Sequence, residues 1–105
     1  MTAAELRNLC LNLPDAREEF PFRPELSVFK VGTKMFALSD LNETPLRVSL
    51  KCDPELGEQL RGTHPSIAPG YHLNKRHWIT ITLDDSTPDK LVTDLIHGSH
   101  ELVAT

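Results

Sequence analysis

Leu46-Arg47-Val48-Ser49-Leu50-Lys51 alternates aliphatic and polar side chains without interruption. In an extended chain successive side chains point to opposite faces, so Leu46, Val48 and Leu50 share one side while Arg47, Ser49 and Lys51 share the other. A strand of this kind needs a sheet with one buried face. From His77 to Leu83 the pattern recurs, with His77, Ile79, Ile81 and Leu83 alternating with Trp78, Thr80 and Thr82, and its β-branched content suits a strand. Leu26–Val31 and Lys34–Ser39 flank Gly32-Thr33, a pair suited to a two-residue type II′ turn, which predicts a hairpin. Lys30 and Lys34 at its tip read as charges that protect solubility rather than as a small basic wing. Glu18–Phe22 is extended in character, but Pro21 removes a ladder donor and restricts it to an edge.

Between these runs the apolar spacing becomes helical. Thr2-Ala3-Ala4-Glu5 is a capping box, followed by the stripe Leu6, Leu9, Cys10 and Leu13 up to Pro14-Asp15. Asp53 is an N-cap with Pro54 in the first helical position, and Leu56 and Leu60 form a stripe of about two turns ending at Gly62. Thr63–Pro69, with two prolines and no periodicity, reads as a loop. Thr87-Pro88-Asp89 opens a third helix whose inner face is Leu91, Val92, Leu95, Ile96, Leu102 and Val103, with a weak point at Gly98-Ser99. Helices with one stripe and strands with one apolar face predict an α+β fold: a two-layer domain, an antiparallel sheet of about five strands with three helices packed on one face. The 105 residues form a single domain.

No apolar run approaches the roughly 20 residues of a membrane span, and Met1–Glu5 has neither the basic segment nor the apolar core of a secretory signal. The expected location is the cytoplasm, where Cys10 and Cys52, distant in sequence and outside any CxxC, are buried thiols. A net charge of −4 opposes nucleic acid binding by the whole surface, because that affinity comes largely from cations that displace counterions. A basic site must be local. The best place for one is Pro69-Gly70-Tyr71-His72-Leu73-Asn74-Lys75-Arg76-His77-Trp78. Pro69-Gly70 reads as a turn in which glycine permits positive φ, Lys75 and Arg76 supply phosphate-compatible donors or else tether the loop through hydrogen bonds to carbonyls or acids, and Trp78, on the outer face with Thr80, offers a surface for stacking or packing, an exposed indole among Arg47 and Lys51 if the two strands are close.

Gly70–Trp78, with Val28-Phe29-Lys30-Val31-Gly32, Lys34-Met35-Phe36-Ala37-Leu38, Leu50-Lys51-Cys52-Asp53-Pro54-Glu55, and Ser99 before Leu102-Val103, resembles the MmcQ/YjbR family of small bacterial proteins over nearly the whole chain. The resemblance implies a compact α+β domain, and DNA binding through a double-wing likeness. With the local chemistry it nominates Arg47, Lys51, Tyr71, His72, Asn74, Lys75, Arg76, His77 and Trp78 as DNA contacts. The competing expectation, which the net acidity favours, is a module that binds a protein or small ligand on the same outer face. A monomer is expected rather than a dimer.

Other chemistry is weakly signalled. His97 and His100 share a helix face, but a zinc site needs three or four ligands and neither cysteine is near in sequence, so no metal is expected. A CyaY-like fold, which the resemblance also implies, would suggest iron through an acidic first helix; here that helix carries only Glu5. Cys52 lies near a helix N-terminus, yet its place between strand and cap is equally that of a packed thiol. No G-x-S-x-G, P-loop, dinucleotide fingerprint or HExxH occurs, so neither enzyme nor cofactor is expected.

Overall fold

The computed structural model describes residues 1–104. In chain order the elements are α1 (Ala3–Leu11), β1 (Arg17–Glu19), β2 (Leu26–Val31), β3 (Lys34–Asp40), β4 (Arg47–Lys51), α2 (Pro54–Thr63), β5 (Ile67–Pro69), β6 (Trp78–Thr82) and α3 (Asp89–Val103). The strands form one 6-stranded sheet in the order β1-β2-β3-β4-β6-β5, antiparallel at every pairing. This is the α+β fold expected.

Local chemistry explains most element ends. Thr2 accepts from the Glu5 amide while Glu5 accepts from the Thr2 amide, so both halves of the capping box are made. Asp53 caps α2 through the Glu55 amide, ahead of Pro54. Gly32 takes φ +60° between Val31 and Lys34, as the first residue of a type II′ turn must.

The helices share one face of the sheet. Leu6 and Cys10 of α1, Leu60 of α2, and Val92, Leu95, Ile96 and Val103 of α3 enter one core with sheet residues that include Phe29, Val48, Leu50, Ile79 and Ile81. Each fully buried aliphatic here contributes roughly 1.5–3 kcal/mol. The register shift between Phe29 and Lys30 leaves Phe36 unpaired between Met35 and Ala37, so that Phe36 and Ala37 both reach this core.

Several expectations need correction. Thr63–Pro69 is not all loop: Ile67–Pro69 adds a sixth strand at the sheet edge, where a proline without a ladder donor is tolerated. The edge strand near the N-terminus is Arg17–Glu19 rather than Glu18–Phe22, and Phe20 and Phe22 lie exposed beyond it. In α3, Leu102 is 47% exposed and does not belong to the inner face, whereas Ser99 and His100 are buried. Ser99 donates from Oγ to the Lys51 carbonyl at 2.5 Å, which ties the helix to β4. Leu56 of α2 is likewise exposed.

The opposite sheet face carries a second, smaller cluster of Val28, Leu38 and Trp78, with Leu26, Met35 and Leu73 packed on it. Among the described residues no helix packs on this cluster. The segment between β5 and β6 does so instead, and it forms one wall of a cleft.

Candidate functional site

Gly70 begins this covering segment, for a reason other than turn geometry. Its φ is not positive, yet a Cβ added there would stand 2.5 Å from the Trp78 Cβ and 3.2 Å from that of Leu73. Glycine is required because two backbones approach closely: the Gly70 amide donates to the Trp78 carbonyl at 2.9 Å. Lys75 reaches back and donates from Nζ to the Gly70 carbonyl. Asn74 Oδ1 accepts from the amides of Arg76 and His77 at 2.9 and 3.1 Å, closing the turn into β6.

One sequence-based expectation about the site fails here. Trp78 faces outward as alternation requires, but it is 7% exposed, buried under Leu73 with Val28 and Leu38. A large apolar ring on an uncovered sheet face gains more by gathering neighbours and a loop over itself than by remaining in water. Lys75 follows the tethering alternative and bonds within its own loop.

The wall of the cleft is Tyr71-His72-Leu73. The Tyr71 amide donates to Thr80 Oγ1 at 2.9 Å, and Thr80 Oγ1 lies 2.8 Å from Ser49 Oγ, so a hydroxyl pair across β4 and β6 holds the wall to the floor. Tyr71 is 55% exposed, with the Arg47 guanidinium 4.9 Å from its ring centroid. His72 takes φ +58°, an uncommon conformation for a residue with a Cβ, and its ring lies 4.0 Å from that of Tyr71 at 52°.

Phe22 and Arg23, between β1 and β2, stand at the cleft as well, together enclosing about 310 Å³. Leu26, Leu38 and Leu73 supply apolar lining, and Ser49 and Thr80 supply hydroxyls. The charged lining residues are matched in sign. Arg23 pairs with Asp40 at 3.3 Å, and Arg47 pairs with Glu43. Hydrogen bonding to Glu43 raises Arg47 above the ordinary arginine value, offsetting a desolvation that acts the other way.

Of the nominated residues, then, Arg47, Tyr71 and His72 meet in one cleft. Asn74 and Lys75 shape the loop, Arg76 and His77 lie exposed on it, and Trp78 is buried beneath it. Lys51 is half-buried opposite Trp78 in the register. Sequence reasoning missed Phe22, Arg23, Asp40, Glu43, Ser49 and Thr80. Alternation had put Ser49 and Thr80 on the outer face, and Phe22 in a proline-rich stretch was the one further signal.

Elsewhere His100, Cys10 and Cys52 are committed to packing. His100 Nε2 lies 2.7 Å from the Pro14 carbonyl and its ring meets Phe36 edge-on, while His97 is exposed. No group of three or more His, Cys, Asp or Glu among the described residues is placed to hold a metal ion. Burial, with the Glu18 charge adding to it, pushes the Cys10 thiol up to about 12. Burial and then the Asp53 charge also raise Cys52, against the opposing Arg61 charge, which is the wrong direction for an activated nucleophile. No helix among the described residues is long and apolar enough to cross a membrane.

Comparison with known proteins agrees with this architecture. The sequence pattern of the family described as YjbR matches residues 11–102. The uncharacterized protein YbdF of Escherichia coli O157:H7 is 42% identical over 98 residues, covering 92% of this chain and 80% of its own. The uncharacterized protein YjbR of Escherichia coli K12 is 38% identical over 101 residues, 96% of this chain and 86% of that one. Among solved structures, the Deinococcus radiodurans protein DR2400, a DUF419 domain, superposes with a TM-score of 0.93 at 53% identity, covering 99% of this chain and 79% of that one. A Pseudomonas syringae protein superposes with a TM-score of 0.83 at 28% identity, covering 98% and 99%.

Proposed function

The chain belongs to the YjbR family, and from that membership together with the outer-face geometry we propose that it is a non-enzymatic binding module whose site is the cleft between Phe22 and Tyr71. One observation carries the reading. The Gly70–Trp78 segment, the most distinctive stretch of the sequence, builds a wall of the cleft, with Lys75 bonded to the Gly70 carbonyl and Arg47, below the wall on β4, paired with Glu43. Small-ligand sites are concave, largely apolar and fitted with a few placed polar groups, in volumes from about 300 Å³ upward. The cleft has that character.

DNA binding is the second reading, favoured by Arg76 and His77, which lie exposed side by side, with no ion pair to Arg76 among the described residues. Fluorescence anisotropy with labelled duplex DNA at low and high salt decides between the two. The cleft reading expects no saturable binding at low salt. Saturable binding whose log K falls steeply with log salt, with a slope flattened by about 1 unit in Arg76→Ala, would overturn it in favour of phosphate contacts.

A further inference from the structure

The cleft floor holds a hydrogen-bond donor with no acceptor assigned to it. Ser49 and Thr80 bring two hydroxyl hydrogens to a contact of 2.8 Å, and one hydrogen suffices for that bond. Thr80 Oγ1 also accepts from the Tyr71 amide, and neither hydroxyl has another acceptor among the described residues. If Ser49 donated to Thr80, the leftover hydrogen would sit on Thr80, which also lines the cleft but at 6% exposure presents less of its hydroxyl there. Donation from Thr80 to Ser49 leaves it on the half-buried Ser49, which lines the cleft and can direct it there.

The other lining groups restrict what can meet this donor. Arg23 with Asp40 and Arg47 with Glu43 are ion pairs, so each lining cation is already matched by a carboxylate and the lining carries no excess charge to draw in a charged ligand. Phe22, 62% exposed, and the leucines of the floor offer apolar surface to a ring or short aliphatic body. A volume of about 310 Å³ limits that body to a small molecule.

We infer that the cleft takes a small uncharged molecule with an apolar, ring-sized body and a hydrogen-bond acceptor of the carbonyl or amide class, which receives the spare hydroxyl hydrogen of the Ser49–Thr80 pair. This rests on the cleft being the binding site, and the test separates the two claims. Benzamide, benzoate, benzylamine and toluene are titrated into ¹⁵N-labelled protein, and the amide shifts of Ser49, Tyr71 and Thr80 are followed by NMR. Benzamide is expected to saturate at the lowest concentration. Ser49→Ala should weaken benzamide by about tenfold, the size of one hydrogen bond, and leave toluene unchanged, which also reports that the cleft is intact. Tighter binding of benzoate or benzylamine, or an equal affinity of benzamide for Ser49→Ala, overturns the ligand class while the cleft stands as a site. If no probe, toluene included, shifts the cleft amides, both claims fall.

Discussion

Lys75 shows how one side chain divides between two readings. A lysine that contacts phosphate contributes to affinity and to its salt dependence, whereas one bonded to a carbonyl contributes to stability. Its Nζ donates to the Gly70 carbonyl, so Lys75→Ala is expected to lower stability by about 0.5–1.5 kcal/mol in a denaturant titration. A variant that melts like the parent would remove the clasp from this account. Ile81 and Thr80 are neighbours on opposite faces, and alternation alone makes the outward Thr80 the cheaper to lose. Because Thr80 accepts from the Tyr71 amide and joins Ser49, Thr80→Ala should cost about 1–2 kcal/mol. Ile81→Ala, emptying a fully buried position, should cost about 2–5 kcal/mol. Chemical denaturation measures both, and a silent Thr80→Ala would mean that the hydroxyl pair does not hold the wall.

Glycines separate the elements by purpose. Gly70 lies where the chain entering the loop passes the chain leaving it, and a methyl group there would collide with Trp78 Cβ. Gly70→Ala should therefore destabilise by about 1–3 kcal/mol and shift the Trp78 fluorescence, since the loop must lift from the indole. Gly98 sits within α3 with nothing within 4 Å of an added Cβ, so Gly98→Ala should stabilise by about 0.5–1 kcal/mol through helix propensity. Equal thermal shifts for the two variants would contradict the close approach. The same contrast explains why α3 runs unbroken through Gly98-Ser99: Ser99 bonds to the carbonyls of Leu95 and Lys51, anchoring the helix where its propensity is lowest.

The layers of the molecule are tied at their margin by Arg7 of α1 and Glu18 of β1, 2.8 Å apart. Burial alone would raise the Glu18 carboxyl, but hydrogen bonds from Arg7 and Ser27 and the Arg7 charge outweigh it and hold the group below the ordinary glutamate range. A carboxyl depressed in the folded state binds fewer protons there than in the unfolded chain between the two pKa values. Its stabilisation is complete above the unfolded value of about 4.3 and is lost as pH falls through the lower folded value. Thermal melts across pH should show Tm falling below about pH 4.3. Glu18→Gln should lower Tm at neutral pH and make the acid decline shallower, leaving the part due to Glu5, Glu19 and Asp84, which are also depressed. An acid limb of unchanged slope in Glu18→Gln would show that the pair does not couple the layers.

Short-range rules carried much of this protein. The alternation of Leu46–Lys51, the capping box at Thr2 and the turn at Gly32-Thr33 depend on residues within a few positions of one another, and each appears in the structure where those residues stand. Face assignment was equally legible, since alternation places Trp78, Thr80, Ser49 and Arg47 together on the outer side. Exposure was not. Whether an outward side chain meets water depends on what the chain lays over it later, and Trp78 is buried because Leu73 and the segment around it fold back across the sheet. The short strand Ile67–Pro69 escaped for a related reason: its apolar content is slight, and it is a strand because β6 offers it an edge. The cleft is the clearest case. Phe22, Asp40, Ser49 and Tyr71 lie far apart along the chain, and only sheet pairing and loop closure bring them around one space, with Arg23 matched to Asp40 across a separation that no local pattern spans.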